Sequence, residues 1–339
     1  MRIPYRTRRV LRRLAIGICF LVVLAVLVGL FWILWVSRFV VYTREQGAVL
    51  DFEQSDQNMT GELAVPPTQG ETIEVYYNTG EGAITVSKEL TQMMGYYVST
   101  EVLEDDLTAV LAQLQALPEG TPVLIDVKSI KGNFFYSSSV GSPRNEDLDI
   151  EAMDALLAYL KKSNFYTIAR IPALRDFYYG LEHVSDGLPM PGGYLWIDSS
   201  SCYWLNPASE GTRAYLVQII RELQALGFDE VVLSDFRFPD TDQIVYSGDK
   251  VQILADTAKF LVDTCTTDRF AVSFVGEPGF ALPEGRCRLY LEDVPAVQAA
   301  TVAQSTGSED TAVRVVFLTN VHDTRFNVFG VLRPLAGAH

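Results

Sequence analysis

Two features predict an α/β chain built as one transmembrane helix followed by a (β/α)8 barrel of the TIM type. The first is an uncharged run of 23 residues, Leu14 to Val36. The second, beyond residue 95, is a succession of eight short apolar runs, most of them separated by segments of helical periodicity. Short, continuously apolar runs are what parallel strands buried on both faces require.

The N-terminal run comes first in order. At about 1.5 Å per residue a helix over Leu14–Val36 is about 35 Å long, enough to cross a hydrocarbon core of about 30 Å. Arg2, Arg6, Arg8, Arg9, Arg12 and Arg13 precede it with no acid among them. Positive charge stays on the cytoplasmic side. The sequence therefore predicts a cytoplasmic basic segment over 1–13, an anchor over 14–36 and a body outside the cytoplasm, at the cell membrane. Trp32 and Trp35 stand near the outer end of the run, where indoles favour the headgroup layer. A cleaved signal peptide would show an apolar stretch of about 7–15 residues and a small-residue cleavage site. The segment SRFVVYTREQ after the run has no such site.

Charge narrows the partners. Six of the 27 Lys and Arg residues lie before the anchor, whereas all 42 Asp and Glu residues lie after it. So acidic a body excludes a nucleic-acid partner, whose phosphates need a basic footprint. It is compatible with a neutral or cationic partner, and it helps solubility. Cys19 lies in the anchor; Cys202, Cys265 and Cys287 remain, with Cys265 and Cys287 the candidates for a single disulfide. His183, His322 and His339 are scattered, and nothing has metal-ligand spacing, so no metal or other cofactor is expected.

Residues 37–94 read as a stalk and a hairpin. The run from Asp51 to Glu71 is polar with a Pro-Pro pair and predicts an extended stalk over 37–70. TIEVYYN and AITVS around TGEG predict a hairpin over 72–87. The barrel is expected over 95–335. Its strands are predicted at Gly95–Ser99, Pro122–Lys128, Tyr166–Ile171, Glu230–Phe236, Phe270–Val275, Arg288–Glu292, Val313–Leu318 and Asn327–Leu332. Helical spacing marks Asp105–Leu117, Ile150–Ser163, Thr212–Leu226 and Lys250–Cys265, while the last three connections are weaker. An open doubly wound sheet is the other arrangement such alternation allows, but no glycine fingerprint supports it.

In a barrel of this type the site lies at the C-terminal ends of the strands. The polar residues predicted there are Asp126 and Lys128 on the second strand, Arg170 and Asp176 on the third, Asp235 and Arg237 on the fourth, Glu277 after the fifth, and Glu292 and Asp293 on the sixth. The long connection 172–211 adds Trp196, Asp198, Tyr203, Trp204 and Asn206. The Asp126/Lys128 and Asp235/Arg237 pairs can also be read as ion pairs holding strands in register, and the two tryptophans as loop anchors. Their convergence on one face suits a polyhydroxylated ligand: carboxylates and Arg bind hydroxyls, and aromatic faces cover sugar rings.

The ordered runs GYYVS (95–99), VLIDVKS with FFYSS (123–138), IARIPALRD (168–176), a Trp-x-Asp followed by YWLNP (196–207), and GFDEVVLSDFRFP (227–239) resemble the putative glycosyl hydrolase family. This bacterial group of (β/α)8 barrels is often secreted or membrane-tethered. The resemblance covers about 145 residues in order. It implies that Asp126, Lys128, Arg170, Asp176, Trp204, Asn206 and Arg237 line the site. The chain departs from the pattern on the fourth strand. Ser234 stands at the family's Asp position and Asp235 one residue later. On a regular strand Asp235 and Arg237 would share the inner face, with Ser234 turned toward the helices; a bulge would reverse this. Ser129 replaces an acid, and the family's later Pro-Met-x-Tyr-Pro-Ser segment is absent.

The expected function is a membrane-anchored, extracytoplasmic glycoside-hydrolase-like barrel acting on a cell-wall or surface polysaccharide. The candidate catalytic carboxylates are Asp235, Glu292 and Asp126, with Asp235 as nucleophile or base and Glu292 as acid. Lys128, Arg170, Asp176, Trp196, Trp204, Asn206 and Arg237 would bind substrate. Two other readings stand beside it: a non-catalytic carbohydrate-binding barrel, and a structural ectodomain for a protein partner.

Overall fold

The computed structural model describes residues 40–43, 47–50, 90–140, 145, 148–277 and 279–335. The expected anchor over 14–36 and the expected hairpin over 72–87 lie outside these. Among the described residues no helix is long and apolar enough to cross a membrane. The chain divides into two compact units, Met1–Asn58 and Met59–His339. In the first, within the segment read as an extended stalk, Val40–Thr43 pairs antiparallel with Gly47–Leu50. The β-branched content of VVYT explains why this part of the stalk is a strand.

The second unit is a closed barrel of eight parallel strands. They are β1 Met94–Val98, β2 Pro122–Asp126, β3 Tyr166–Pro172, β4 Glu230–Ser234, β5 Ala271–Val275, β6 Leu289–Glu292, β7 Val315–Leu318 and β8 Gly330–Pro334. β8 returns to pair with β1 and closes the ring. Between the strands run α1 Thr100–Asp105, α2 Leu107–Gln115, α3 Ile150–Lys162, α4 Phe177–Glu182, α5 Glu210–Leu226, α6 Lys250–Cys265, α7 Ala299–Ser305 and α8 Thr311–Arg314. The helix expected over Asp105–Leu117 is α2, and the short α1 ahead of it is one that the periodicity does not predict. Asp106 separates the two and caps α2, its carboxylate accepting from Ala109 N–H at 2.9 Å. The same chemistry starts α3 at Asp149, α4 at Asp176 and α6 at Asp249. α5 stops at Gly227, whose φ of +96° suits a residue without a Cβ. Between β5 and β6 no helix forms among the described residues.

Side chains alternate between two cores. Leu124, Ile168, Val232, Tyr290, Val316 and Leu332 belong to the cluster inside the barrel, with Met93 below them. Val123, Ile125, Ala169, Ile171, Val231, Leu233, Val272 and Phe274 belong to the layer shared with the helices. Each buried Leu, Ile or Val contributes about 1.5–3 kcal/mol of apolar transfer. With a period of two, the inner residues Leu124, Ile168, Val232 and Tyr290 are followed inward, at the C-terminal mouth, by Asp126, Arg170, Ser234 and Glu292. Cys202, Cys265 and Cys287 are buried and free, so the candidate pair Cys265 and Cys287 is not joined.

Candidate active site at the barrel mouth

The inner ends of β2, β3 and β6 are tied by one chain of charges. Arg170 grips Asp126 with two parallel bonds, Nε to Oδ1 at 2.5 Å and Nη2 to Oδ2 at 3.0 Å. Its third nitrogen, Nη1, donates to Glu292 Oε1 at 2.7 Å. Asp126 Oδ2 also accepts from the Thr100 backbone N–H at 2.9 Å and from its hydroxyl at 3.0 Å. Asp126 is thus almost sealed, 8% exposed, with both oxygens occupied. Glu292, with a 41% exposed side chain, is the open end of the chain. Burial would lower the Arg170 pKa, but the charges of Asp126 and Glu292 override it and keep the guanidinium cationic.

Two carboxylates next to this chain sit on unusual backbone. β4 ends at Ser234, and Asp235 follows with φ +49°; β6 ends at Glu292, and Asp293 follows with φ +54°. Asp tolerates the left-handed region better than most residues, yet the conformation is uncommon and collects at functional sites. The expectation that Asp235 takes the inner face of a regular strand is corrected here. Parity from Glu230 and Val232 turns Ser234 inward, because β4 stays regular through Ser234. The left-handed turn at Asp235 then breaks the alternation that would have sent its carboxylate out toward the helices. Asp235 is half-buried and has no hydrogen bond or ion pair to any described residue.

The surroundings of Asp235 and Glu292 differ in sign. Burial is the main influence on Asp235 and raises its pKa; Arg175, Arg237 and Lys128 oppose the rise and Asp198 adds to it. Burial also raises Glu292. There Arg170 is the opposing cation, and Asp293, Asp126 and Asp235 all reinforce the rise. Three cations thus oppose the rise at Asp235, whereas Glu292 has one, Arg170, and the charge of Asp235 is felt at Glu292.

Other residues predicted for the site are placed elsewhere. Lys128 Nζ pairs with Asp176 Oδ2 at 2.7 Å, with both side chains 0% exposed. Tyr215 O–H donates to the same Asp176 oxygen at 2.9 Å. Gly132 lies so close that a Cβ there would stand 2.2 Å from Asp176 Oδ1. Asp176 also caps α4 through Tyr179 N–H. In this conformation neither charge is open to a ligand, and Lys128 reaches the mouth only through its field. Trp204 is 3% exposed. The guanidinium groups of Arg175 and Arg237 stand over its ring at 5.8 and 5.3 Å, and its N–H donates to Asp198 at 3.0 Å. That places it as an anchor of the long loop rather than an exposed platform. Trp196 is half-buried, its centroid 6.3 Å from that of Trp204, and its N–H donates to Gln243 at 3.2 Å. Asn206 Oδ1 accepts from Ala208 N–H at 3.0 Å and shapes the turn into α5. Arg237 is exposed.

Sequence reasoning passed over Arg175, Thr100 and Tyr97. Arg175 holds Asp198 at 2.6 Å. Burial works against the Asp198 carboxylate, but bonds from Cys202 N–H, Trp204 and Arg175 hold its pKa below the ordinary range. Arg175 stood inside the IARIPALRD run and was available there. Thr100 carried no signal, because its role depends on Asp126 arriving beside it.

The pattern described as a putative glycosyl hydrolase domain matches residues 95–268, just over half of the chain. The chain belongs to this family. The match runs from β1 to just beyond α6, so the glycosyl hydrolase pattern covers Asp126, Arg170 and Asp235 and stops before Glu292. No curated protein sequence matches the chain. Among solved structures, an α-galactosidase from Geobacillus stearothermophilus bound to 1-deoxygalactonojirimycin aligns with a TM-score of 0.50 at 10% identity, over 73% of this chain and 40% of its own. This chain thus spans well under half the length of that enzyme, and the likeness is one of fold. The glycoside hydrolase domain of PelA from Pseudomonas aeruginosa aligns at 0.46 and 12% identity, over 73% of this chain and 96% of its own. Aspergillus fumigatus Ega3 in complex with galactosamine aligns at 0.47 and 12% identity, over 76% and 96%.

Proposed function

We propose that the chain is a membrane-anchored glycoside hydrolase that works outside the cytoplasm on a cell-wall or surface polysaccharide. The uncharged run over 14–36 behind six arginines supports the anchor and its orientation. The observation that carries the chemistry is a pair of carboxyls at one mouth, Glu292 held by Arg170 at the exposed end of the charge chain and Asp235 without a partner among the described residues. Burial raises both carboxyls; three cations oppose the rise at Asp235, and one, Arg170, opposes it at Glu292. In this scheme Glu292 is the acid and gives its proton to the glycosidic oxygen as the bond breaks. Asp235 is the ionised partner and acts at the anomeric carbon, either directly or by taking a proton from water. Arg170 holds Glu292 in place, and Asp126 fixes Arg170. No cofactor is needed for this reaction.

The test uses the full chain in detergent with a panel of wall glycans, read for new reducing ends and for binding. The expected outcome is turnover by the parent and a loss of about 100- to 10,000-fold in Asp235→Asn, with binding kept. An Asp235→Asn protein as active as the parent removes Asp235 from the chemistry. A second reading is favoured by Ser234, which occupies the position where the family carries its acid: a barrel that binds the glycan without cutting it. Binding by the parent with no reducing ends from any glycan selects that reading.

A further inference from the structure

Buried and half-buried tyrosines around the barrel donate to carboxylates. Tyr166 and Tyr290 donate to Glu230 at 2.9 and 3.0 Å, Tyr136 to Glu222 at 2.8 Å, and Tyr215 to Asp176 at 2.9 Å. This is the usual behaviour of a buried phenol, whose ring is apolar and whose hydroxyl needs a partner. Tyr97, on β1, departs from it. Its ring packs against the cluster inside the barrel. Its hydroxyl makes no hydrogen bond to any described residue. β1 sets Tyr97 in register with Leu124, one inward step below Asp126, and the charges of Arg170, Glu292 and Asp293 act on its phenol. The side chain is half-buried.

We propose that Tyr97 is a substrate-binding residue whose phenol O–H donates to a hydroxyl of the sugar unit lying against Arg170 and Glu292. The inference rests on the reading of the mouth as a glycan site. It adds a contact from the GYYVS run that the catalytic scheme leaves unused. Burial raises the phenol pKa; Arg170 opposes this, and Glu292 and Asp293 reinforce it. The group therefore remains a donor at neutral pH. A sugar hydroxyl suits the place because it can accept from Tyr97 while donating to the carbonyl oxygen of the exposed Glu292 carboxyl.

Tyr97→Phe keeps the ring and removes one oxygen. The experiment measures binding of the panel glycans and the melting temperature for the full-length parent, Tyr97→Phe and Tyr290→Phe. The expected result for Tyr97→Phe is affinity about 5- to 10-fold weaker at an unchanged melting temperature, since no internal partner is lost. Tyr290→Phe, which deprives Glu230 of a donor, should melt lower. Equal affinity in Tyr97→Phe and the parent overturns the assignment of Tyr97 alone. A melting temperature lowered in Tyr97→Phe as much as in Tyr290→Phe makes the hydroxyl structural and also overturns it. A parent that binds no glycan of the panel overturns the mouth reading, and Tyr97 as a glycan contact falls with it.

Discussion

The barrel carries an arginine–glutamate pair at each end, on partly the same strands, and the two are built in opposite ways. At the floor, Glu230 opens β4 and pairs with Arg288, just ahead of β6; the side chains are 0% and 2% exposed. Glu230 also accepts from Ser273 at 2.5 Å, Tyr166 at 2.9 Å and Tyr290 at 3.0 Å. Arg288 spends its remaining donors on the carbonyls of Val313 and Thr91 at 3.1 and 3.0 Å. At the mouth, Arg170 pairs with Glu292, which is 41% exposed, and the nearby Asp235 has no partner among the described residues. Residues 91–93 close the floor, with Met93 at 2% exposure, whereas the mouth stays open. The lesson is that ionic chemistry of one kind serves stability where every polar atom is satisfied, and stays available for a ligand where it is not.

Breaking the floor should produce the largest effect. Glu230→Ala leaves a buried guanidinium without its anion and should cost about 3–5 kcal/mol of stability, read by denaturant unfolding. A loss below about 1 kcal/mol would mean that the floor tolerates an uncompensated charge, and the contrast with the mouth would fail.

The mouth should answer through pH. If Asp235 must be ionised and Glu292 protonated, kcat/KM follows a bell with Asp235 on the acid limb and Glu292 on the alkaline limb. Both groups are raised by burial, so the bell should lie at higher pH than two solvent-exposed carboxyls would give. Asp293 is one of the carboxylates that raise Glu292. Asp293→Asn should therefore move the alkaline limb to lower pH and leave the acid limb in place. An unmoved alkaline limb would detach Glu292 from that role.

The smallest expected effect sharpens the same contrast. A carboxyl whose pKa is raised on folding contributes stability at low pH that is lost as pH rises through the raised value. At neutral pH ionised Asp235 is therefore a cost, and Asp235→Asn should gain about 0.5–1 kcal/mol while losing turnover. A destabilised Asp235→Asn would show that the carboxylate is held by the fold after all.

Much of the barrel was legible because its information is local. Apolar runs such as PVLID and EVVLS suit strands buried on both faces, and a period of two carried Asp126 to the mouth without any coordinates, whereas beyond EVVLS it favoured Asp235 where the strand turns Ser234 inward. The start of α2 was legible too, had the capping by Asp106 been weighed against the periodicity. The family motifs located the long loop after β3, but not which of its side chains would be covered. Lys128, Asp176 and Trp204 looked like ligand contacts because their types suit sugar binding; the loop folds back and buries all three.

By itself, then, the sequence determined the strands, their order, the inward position of Asp126 and the charge of the body, since each follows from propensity, period or composition. Tertiary structure alone decided which charges remain open. Glu292 meets Arg170 across 122 residues of chain and Arg288 meets Glu230 across 58. Exposure at each end depends on what closes over it. The left-handed turn at Asp235 belongs to the same class of fact. A residue that could continue the strand leaves it because the closed barrel and the loop beyond set its backbone, and local propensity is too weak, at about 1 kcal/mol, to resist them.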